Sequence, residues 1–454
     1  MIYDSQSGDI KMALAGDALI TRRFNMHREE TFIGLAEIFR NADVGFFNLE
    51  GTVRTWDEGT PNPTNGINMT IPPAALEDIR WFGVNLVSCA NNHAGEYGEG
   101  GILATVRHLE DAGIVGAGIG ANLTRAASPG YLETAQGRIG LLSASSSFYP
   151  WRRASDQGNE LHGRPGINAL AWSKTHSVDP AVFEQLKRLN RELGYDKELT
   201  QVKSHTTQAI HFEEQTSEAL SLFGNKIVNG GRFDVTTEVN KRDATENLRW
   251  IREAKKQSDW VIFSLHSHET SFATAMKAAD LSEVEEPADF VVDFAHQAID
   301  AGADVFVGHG RQIPYGIEIY KGRPIFYGLG CLFMEYETIR FFPKEKYQSF
   351  GLLADATPGD FADAFTGGGE RAHAGHRNFW ENVVVECSFA GGVFKEARLY
   401  PVDLGFGLPR SQRGRPVLAA AEAGRRVLER VQRISRRYGT EMVIADNVGV
   451  VRSG

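Results

Sequence analysis

Short apolar runs alternate with amphipathic stretches through most of the chain. "IKMALAG" (10–16) reads as a buried strand, "EETFIGLAEIFRNA" (29–42) as a helix and "VGFFNLEG" (44–51) as the next strand. "PPAALEDIRWFG" (72–83) predicts a helix opened by prolines, and "VNLVSCA" (84–90) a strand. "EGGILATVRHLEDAG" (99–113) predicts a helix, "IVGAG" (114–118) a short strand, and "RIGLLSASSSF" (138–148) closes this half. The rhythm returns with a helix at 246–258, a strand "DWVIFSLHSHE" (259–269), a helix at 288–303 and a strand "DVFVGHG" (304–310). "GIEIYKGRPIFYGLG" (316–330) predicts a hairpin turning at Lys321-Gly322, and 379–404 late strands. Strands alternating with helices of about 10–15 residues predict an α/β layered fold.

Residues 150–245 break this rhythm, with Trp151, Arg152 and Arg153 near their start and a charged helical pattern at 179–196. They read as an inserted cap over the α/β body. The expected organisation is therefore 1–149 and 246–405 as two halves of one domain, 150–245 as the cap, and 406–454 as a C-terminal helix and tail. Residues 357–376, rich in Gly, Ala and Asp, read as a mobile loop. The long basic helix expected at 415–439 offers a face on which a homodimer could form.

The chain has 454 residues with 42% hydrophobic and 23% charged, enough for a substantial core and against bulk disorder. A formal net charge of -10 argues against nucleic acid or an anionic membrane as partner. The three cysteines, Cys89, Cys331 and Cys387, have neither disulfide-framework nor zinc-ribbon spacing, which suits a reducing compartment. No signal-peptide pattern and no apolar run long enough to span a bilayer is visible, so the expectation is a cytoplasmic protein.

The chemistry lies at strand ends. Asp17 follows "MALAG"; Asn48 and Glu50 end "VGFFNLE"; Asn91, Asn92 and His93 follow "LVSCA"; His266, His268 and Glu269 follow "VIFSL"; His309 follows "VFVG". In open α/β sheets ligands bind outside the carboxyl ends of strands. Each piece has an ordinary reading: "GD" as a turn, Glu50 as an arginine partner, "NNH" as a helix cap, the histidines as hydrogen-bonded core residues. Five strand ends bearing carboxylates, amides and imidazoles together form a mixed N/O set suited to Mn, Fe, Co or Zn.

The order "GD", "NLEG", "NNH", "LHSHE" and "GHG" followed by "IEIYKGRPIFYGLG" resembles the poly-gamma-glutamate capsule-synthesis (CapA) family, similar in fold to calcineurin-like metallophosphoesterases. The resemblance covers about residues 10–120 and 245–335. It implies mixed β-sheets flanked by helices with one or two divalent metal ions at their top. It implies Asp17, Glu50, Asn92, His266 and His309 as ligands, and His93 as the catalytic histidine with Asp17 and His309 beside it. Asn48, Asn91, His268 and Gln312 are further metal-binding or orienting candidates, Asn91 replacing Asn92 if the register shifts by one. Arg22, Trp151, Arg152 and Glu269 are candidates for contacting a small-molecule or peptide substrate, and His205 and His211 lie in the insertion within reach of one. The chain departs from the family at Gln312, where many members have a second histidine, at Cys331 in "LGC", where "LGN" is usual, and in lacking a visible membrane anchor.

The leading implied function is a metal-dependent hydrolase acting on an amide or peptide-like γ-glutamyl bond, or on a phosphoester. The same resemblance implies a second chemistry: metal-dependent epimerisation at a peptide α-carbon, like that of a lasso-peptide tryptophan epimerase, with Asp17 or His93 paired with His309. A non-catalytic binding protein is the third reading. The remaining tryptophans are expected mostly in the core.

Overall fold

A computed structural model describes residues 8–64, 66–195, 216–280 and 283–453. His205 and His211 lie outside the described residues. Two mixed sheets pack face to face with helices outside. In the larger sheet, Ile10–Leu19 lies between Val44–Leu49 (parallel) and Glu381–Ala390 (antiparallel), and Leu86–Ser88 and Val115–Ala117 extend it beyond Val44–Leu49. In the smaller sheet Trp260–His266 is parallel to both Gly137–Ser145 and Val305–His309, followed by the hairpin Ile317–Tyr320/Arg323–Phe326.

Alternation along the strands explains the layers. Met12, Leu14, Phe46, Leu141, Ile262, Val307 and Val385 fill the space between the sheets, while Ala13, Phe47, Leu142, Phe263 and Phe306 face the helices. Both central strands are buried along almost their whole length, as strands covered on both faces must be. The hairpin turns where the sequence places it, with Lys321 (φ 50°) and Gly322 (φ 73°) both left-handed, as a type I′ turn requires.

Three segments differ from the sequence expectation. Within 357–376, Pro358–Thr366 is a helix: Thr357 and Asp360 form a capping box, Pro358 opens the first turn, and Phe361 and Phe365 pack on Phe350. The segment after the last long helix is built into the body, because Val448–Arg452 pairs antiparallel with Val393–Asp403. That helix runs over Ala421–Ser435 rather than from 415, and it buries Val427, Leu428, Val431 and Ile434 against the chain's own strands. Trp260 and Trp380 are core residues, whereas Trp56 is 83% exposed and Trp151 51%.

The 150–245 segment carries a four-stranded sheet and the helix Pro180–Glu192 with a small core of Phe183, Leu220 and Leu222. The helix expected from 246 begins at Lys241, where the Asn240 side chain accepts from the N–H groups of Arg242 and Asp243. Among the described residues no helix is long and apolar enough to cross a membrane.

Candidate metal centre

The two sheets bring their strand ends together at one edge of the sandwich. Asp17 sits at a β-bulge, where register shifts occur against Val44–Leu49 and against the short parallel strand Cys331–Met334 that pairs with the end of the same strand. A bulge re-aims the side chain it carries. Gly16 makes the bend possible: a Cβ there would lie 1.9 Å from Gly330 O. The Asp17 N–H donates to that same carbonyl (2.8 Å).

The carboxylate of Asp17 is fully buried. Asn48 Nδ2 donates to Oδ1 (2.8 Å) and the Gly310 N–H to Oδ2 (2.8 Å). Oδ1 also lies 3.2 Å from His309 Nδ1 and 3.6 Å from His266 Nδ1, and the two Nδ1 atoms are 3.1 Å apart. His309 Nε2 lies 2.7 Å from Ser264 Oγ. If its Nε2–H is donated to that hydroxyl, His309 frees its Nδ1 lone pair for an ion, whereas the other tautomer donates Nδ1–H to Asp17.

A second group adjoins the first. His266 Nε2 is 3.1 Å from His268 Nε2 and 3.9 Å from Glu50 Oε1. Asp17, His266 and His309 form one set of converging donors, and Glu50, His266 and His268 another, each with ligand atoms within 4.8 Å of one another. Glu50 is fully buried, and neither of its oxygens has a hydrogen-bond partner among the described residues. A buried carboxylate without donors demands a cation or a proton. The residues present therefore fit a divalent ion: a buried mixed carboxylate–imidazole set in which one carboxylate lacks donors.

Electrostatics follow from burial. Burial, then the charge of Asp17, pushes the Glu50 carboxyl well above its ordinary range. Burial would also raise Asp17, but hydrogen bonds to His266 and His309 outweigh it and hold that carboxyl well below normal. Burial pushes His266 down to about 4 and His268 to about 3, keeping both imidazoles neutral, the form that ligates metal.

The "NNH" turn separates into three tasks. Asn91 is consumed by the scaffold: Nδ2 reaches Asn48 Oδ1 (3.2 Å), Leu49 O (3.0 Å) and Cys89 O (3.3 Å), and Oδ1 accepts the His93 N–H (3.1 Å). Asn92 Oδ1 is buried without a partner among the described residues, which leaves it available to a cation. His93 Nε2 lies 3.7 Å from Glu50 Oε1, and its Nδ1 lies 3.0 Å from Glu96 Oε1. Glu96 Oε2 in turn accepts the Met69 N–H (2.6 Å).

Other expected residues sit differently. Arg22 is taken up by Glu335 (Nε–Oε1 3.0 Å) and by the carbonyls of Ser411 and Arg413, which ties the first strand to distant loops. Glu269 accepts from Ser146, Ser147 and Ser267, so its carboxylate organises the loop beside His268. Gln312 holds a left-handed backbone (φ 62°) three residues after His309, and its Oε1 is buried without a partner. Trp151 stacks on Tyr149 (4.7 Å, 17°). Arg152 lies beneath this stack and donates to Asn92 O.

Three residues escaped the sequence reading. Glu96 stands three positions after His93, a visible spacing for an orienting acid. Ser264 lies two residues before His266 on the same strand face. His373 gave no local signal. Its ring is 4.5 Å from Phe379 and 5.8 Å from Tyr336, and burial together with His268, Arg311 and His93 pushes it down to about 4.

Comparison with known proteins finds relatives along most of the chain. Residues 11–336 match the family described as "Bacterial capsule synthesis protein PGA_cap". The chain is 33% identical over 454 residues to "Uncharacterized protein y4sH" of Sinorhizobium fredii, covering 97% of this chain and 92% of that one. It is 25% identical over 303 residues to "Probable polyglutamine synthesis accessory protein Rv0574c" of Mycobacterium tuberculosis (65% of this chain, 57% of that one). A shorter match, 28% over 130 residues, is to "PGA biosynthesis protein CapA" of Bacillus subtilis (28% of this chain, 31% of that one).

Proposed function

The chain belongs to the PGA_cap family of bacterial capsule synthesis proteins, and on that footing we propose that it is a metal-dependent hydrolase of an amide bond in a γ-glutamyl or similar peptide-like substrate. The observation that carries the reading is Glu50, a fully buried carboxylate with two unpartnered oxygens beside converging imidazoles. Names of relatives that refer to polyglutamine and PGA synthesis favour the amide over the phosphoester.

Asp17, His309, His266 and Glu50 would hold the ion, with Asn92 Oδ1 as a neutral oxygen donor. A divalent Mn, Zn, Co or Fe ion would polarise the substrate carbonyl and acidify a water molecule. The chain's own groups do the rest. His93 Nε2 sits against Glu50, and Glu96 Oε1 stands 3.0 Å from its Nδ1. Its Nε2 is thus directed at the reacting region, where it delivers a proton to the leaving amine, a departure that amide hydrolysis cannot complete without protonation. Asn48 and Gly310 hold Asp17 in place, and Ser264 does the same for His309.

The test combines elemental analysis with a substrate screen in D2O, using γ-glutamyl peptides, ordinary peptides and phosphoesters with Mn, Zn, Co or Fe added. The expected result is bound metal and a new amine from the γ-glutamyl peptides, abolished in His93→Ala. Absence of metal uptake, or full activity in that variant, overturns the reading. Deuterium at an α-carbon without a new amine replaces hydrolysis by epimerisation.

A further inference from the structure

Two buried cations flank the His93–Glu96 pair from separate parts of the chain. Arg152 comes from the turn Pro150–Arg152 at the start of the insertion and is 3% exposed. Its Nη1 donates to Asn92 O, and the guanidinium lies 4.6 Å from the ring centroid of Tyr149. Its Nε and Nη2 are buried with no hydrogen-bond partner among the described residues. Lys346 comes from the helix Lys344–Ser349 and is 6% exposed. Its Nζ donates to Thr64 O, while an ammonium carries three donors.

Both cations rest on one turn: Arg152 on Asn92 O, and Lys346 on Thr64 O, two residues from Asn62, whose N–H and Nδ2 donate to Glu96 O (2.7 Å) and Gly95 O (3.1 Å). The Glu96 carboxylate acts on both, with Glu345 adding to its effect on Lys346, and one Glu96 oxygen already accepts the Met69 N–H. Arg152 thus keeps Nε and Nη2 unpartnered among the described residues, with the Lys346 ammonium on the same turn. Unmet charged donors of this kind are costly, and a buried oxyanion is the partner that satisfies them. Placement favours a ligand over a purely structural role. Arg152 rests directly on the carbonyl of Asn92, the residue before His93, and a side chain at Gly95 would press on it: a Cβ there would lie 2.9 Å from Arg152 Cγ.

We propose that Arg152 and Lys346 form an oxyanion clamp beside the metal centre that binds a carboxylate carried by the substrate next to its scissile amide. The proposal rests on the hydrolytic reading of the site, and it makes these two residues determinants of specificity. Arg152 acts through its guanidinium fork, Lys346 as a point charge.

The test is calorimetric binding at low temperature to the full-length chain with Mn2+ present. The probes are γ-glutamylglutamate, its fully amidated analogue and phenyl phosphate. Arg152→Gln and Lys346→Gln should each weaken γ-glutamylglutamate about 10- to 100-fold, the amidated analogue should be unaffected, and Arg152→Lys should recover part of the loss. Mn2+ uptake, titrated separately, should match the wild type and so reports that the centre is intact. If only phenyl phosphate loses affinity, the clamp stands as an oxyanion site and its source is a phosphoester. If no anionic probe loses affinity in either variant while Mn2+ uptake is normal, the clamp is overturned. If the wild type takes up none of Mn2+, Zn2+, Co2+ or Fe2+, the hydrolytic reading falls, and the anion titrations still decide the clamp.

Discussion

Replacing Glu50 by glutamine isolates what the buried carboxylate does with and without metal. Without metal, Glu50 keeps a proton to unusually high pH, because burial and then the charge of Asp17 disfavour its anion. The unfolded chain releases that proton near the ordinary value of 4.5. Between these two values the folded state binds more protons than the unfolded one, so the stability of the metal-free protein falls as pH rises. The loss is at most about 1.4 kcal/mol per pH unit and stops above the folded value. Glutamine does not titrate, so metal-free Glu50→Gln should match the wild type near pH 4 and exceed it near pH 8. A chain of this length unfolds with an entropy of about 1 kcal/mol per kelvin, so each pH unit of displacement is worth roughly 1–1.5 °C in Tm. Metal reverses the order. An ion at about 1,000 times its Kd adds about 4 kcal/mol, or roughly 4 °C, to the wild type, and much less to a variant that has lost a charged donor. Thermal melts across this pH range, with EDTA or with Mn2+, read both effects. The reasoning is refuted if EDTA-treated wild type is no less stable than Glu50→Gln near pH 8, or if Mn2+ raises both proteins equally.

Three further outcomes follow from the geometry. His93→Ala should lower kcat by about 10²- to 10⁴-fold while Mn2+ uptake stays at the wild-type level, and an unchanged pH–rate profile would remove His93 from proton transfer. Asn91→Ala should cost about 2–4 kcal/mol because it strips four buried partners, whereas Asn92→Ala should leave Tm within about a degree and weaken Mn2+ binding, as paired melts and titrations would show; the reverse pattern would exchange their roles. Gly16→Ala, which sets a Cβ 1.9 Å from a backbone oxygen, should destabilise by about 3 kcal/mol or more and weaken Mn2+ binding together, because the same bend aims Asp17; a melt and titration matching the wild type would show that the strand yields freely.

Much of the centre was legible because its residues occupy strand ends, and strands of this kind announce themselves as apolar runs. "VIFSLH" and "VFVGH" locate His266 and His309, and adjacent parallel strands in register place the two side by side. What escaped has no local pattern. The bulge that aims Asp17 depends on Gly330, more than 300 residues away. Lys346 meets Thr64, and His373 meets Tyr336 and Phe379, only through tertiary packing. Other misses were readable but outweighed. Glycine and alanine content hid the Thr-Pro start and the Phe361–Phe365 spacing of the helix Pro358–Thr366. The final hairpin turns on Asp446 and Asn447, both left-handed, without the glycine that usually marks such a turn. Arg22 was a fair candidate for an anion, but an arginine beside a buried strand is equally suited to a buried glutamate, and Glu335 took it.

His266 decides how the two donor groups relate. Its Nδ1 faces Asp17 and His309, and its Nε2 faces Glu50 and His268. A neutral imidazole has one lone pair, so it serves one group as a ligand and offers the other an N–H. If Nδ1 binds, Nε2–H points at Glu50 and His268, and Glu50 remains the only charged donor of the second group. If Nε2 binds, the first group keeps Asp17 and His309 alone, with Asn48 Nδ2 3.3 Å from the freed Nδ1. The Asp17 side is the better organised: its carboxylate is already fixed by Asn48 and Gly310, and its partner His309 is fixed by Ser264. Two ions of equal strength would need a second neutral nitrogen or oxygen on the Glu50 side. Asn92 Oδ1 is the unpartnered atom positioned on the His93 turn to supply it. With two ions bound, the neutral amide in "NNH" would compensate for the one imidazole that the two groups share.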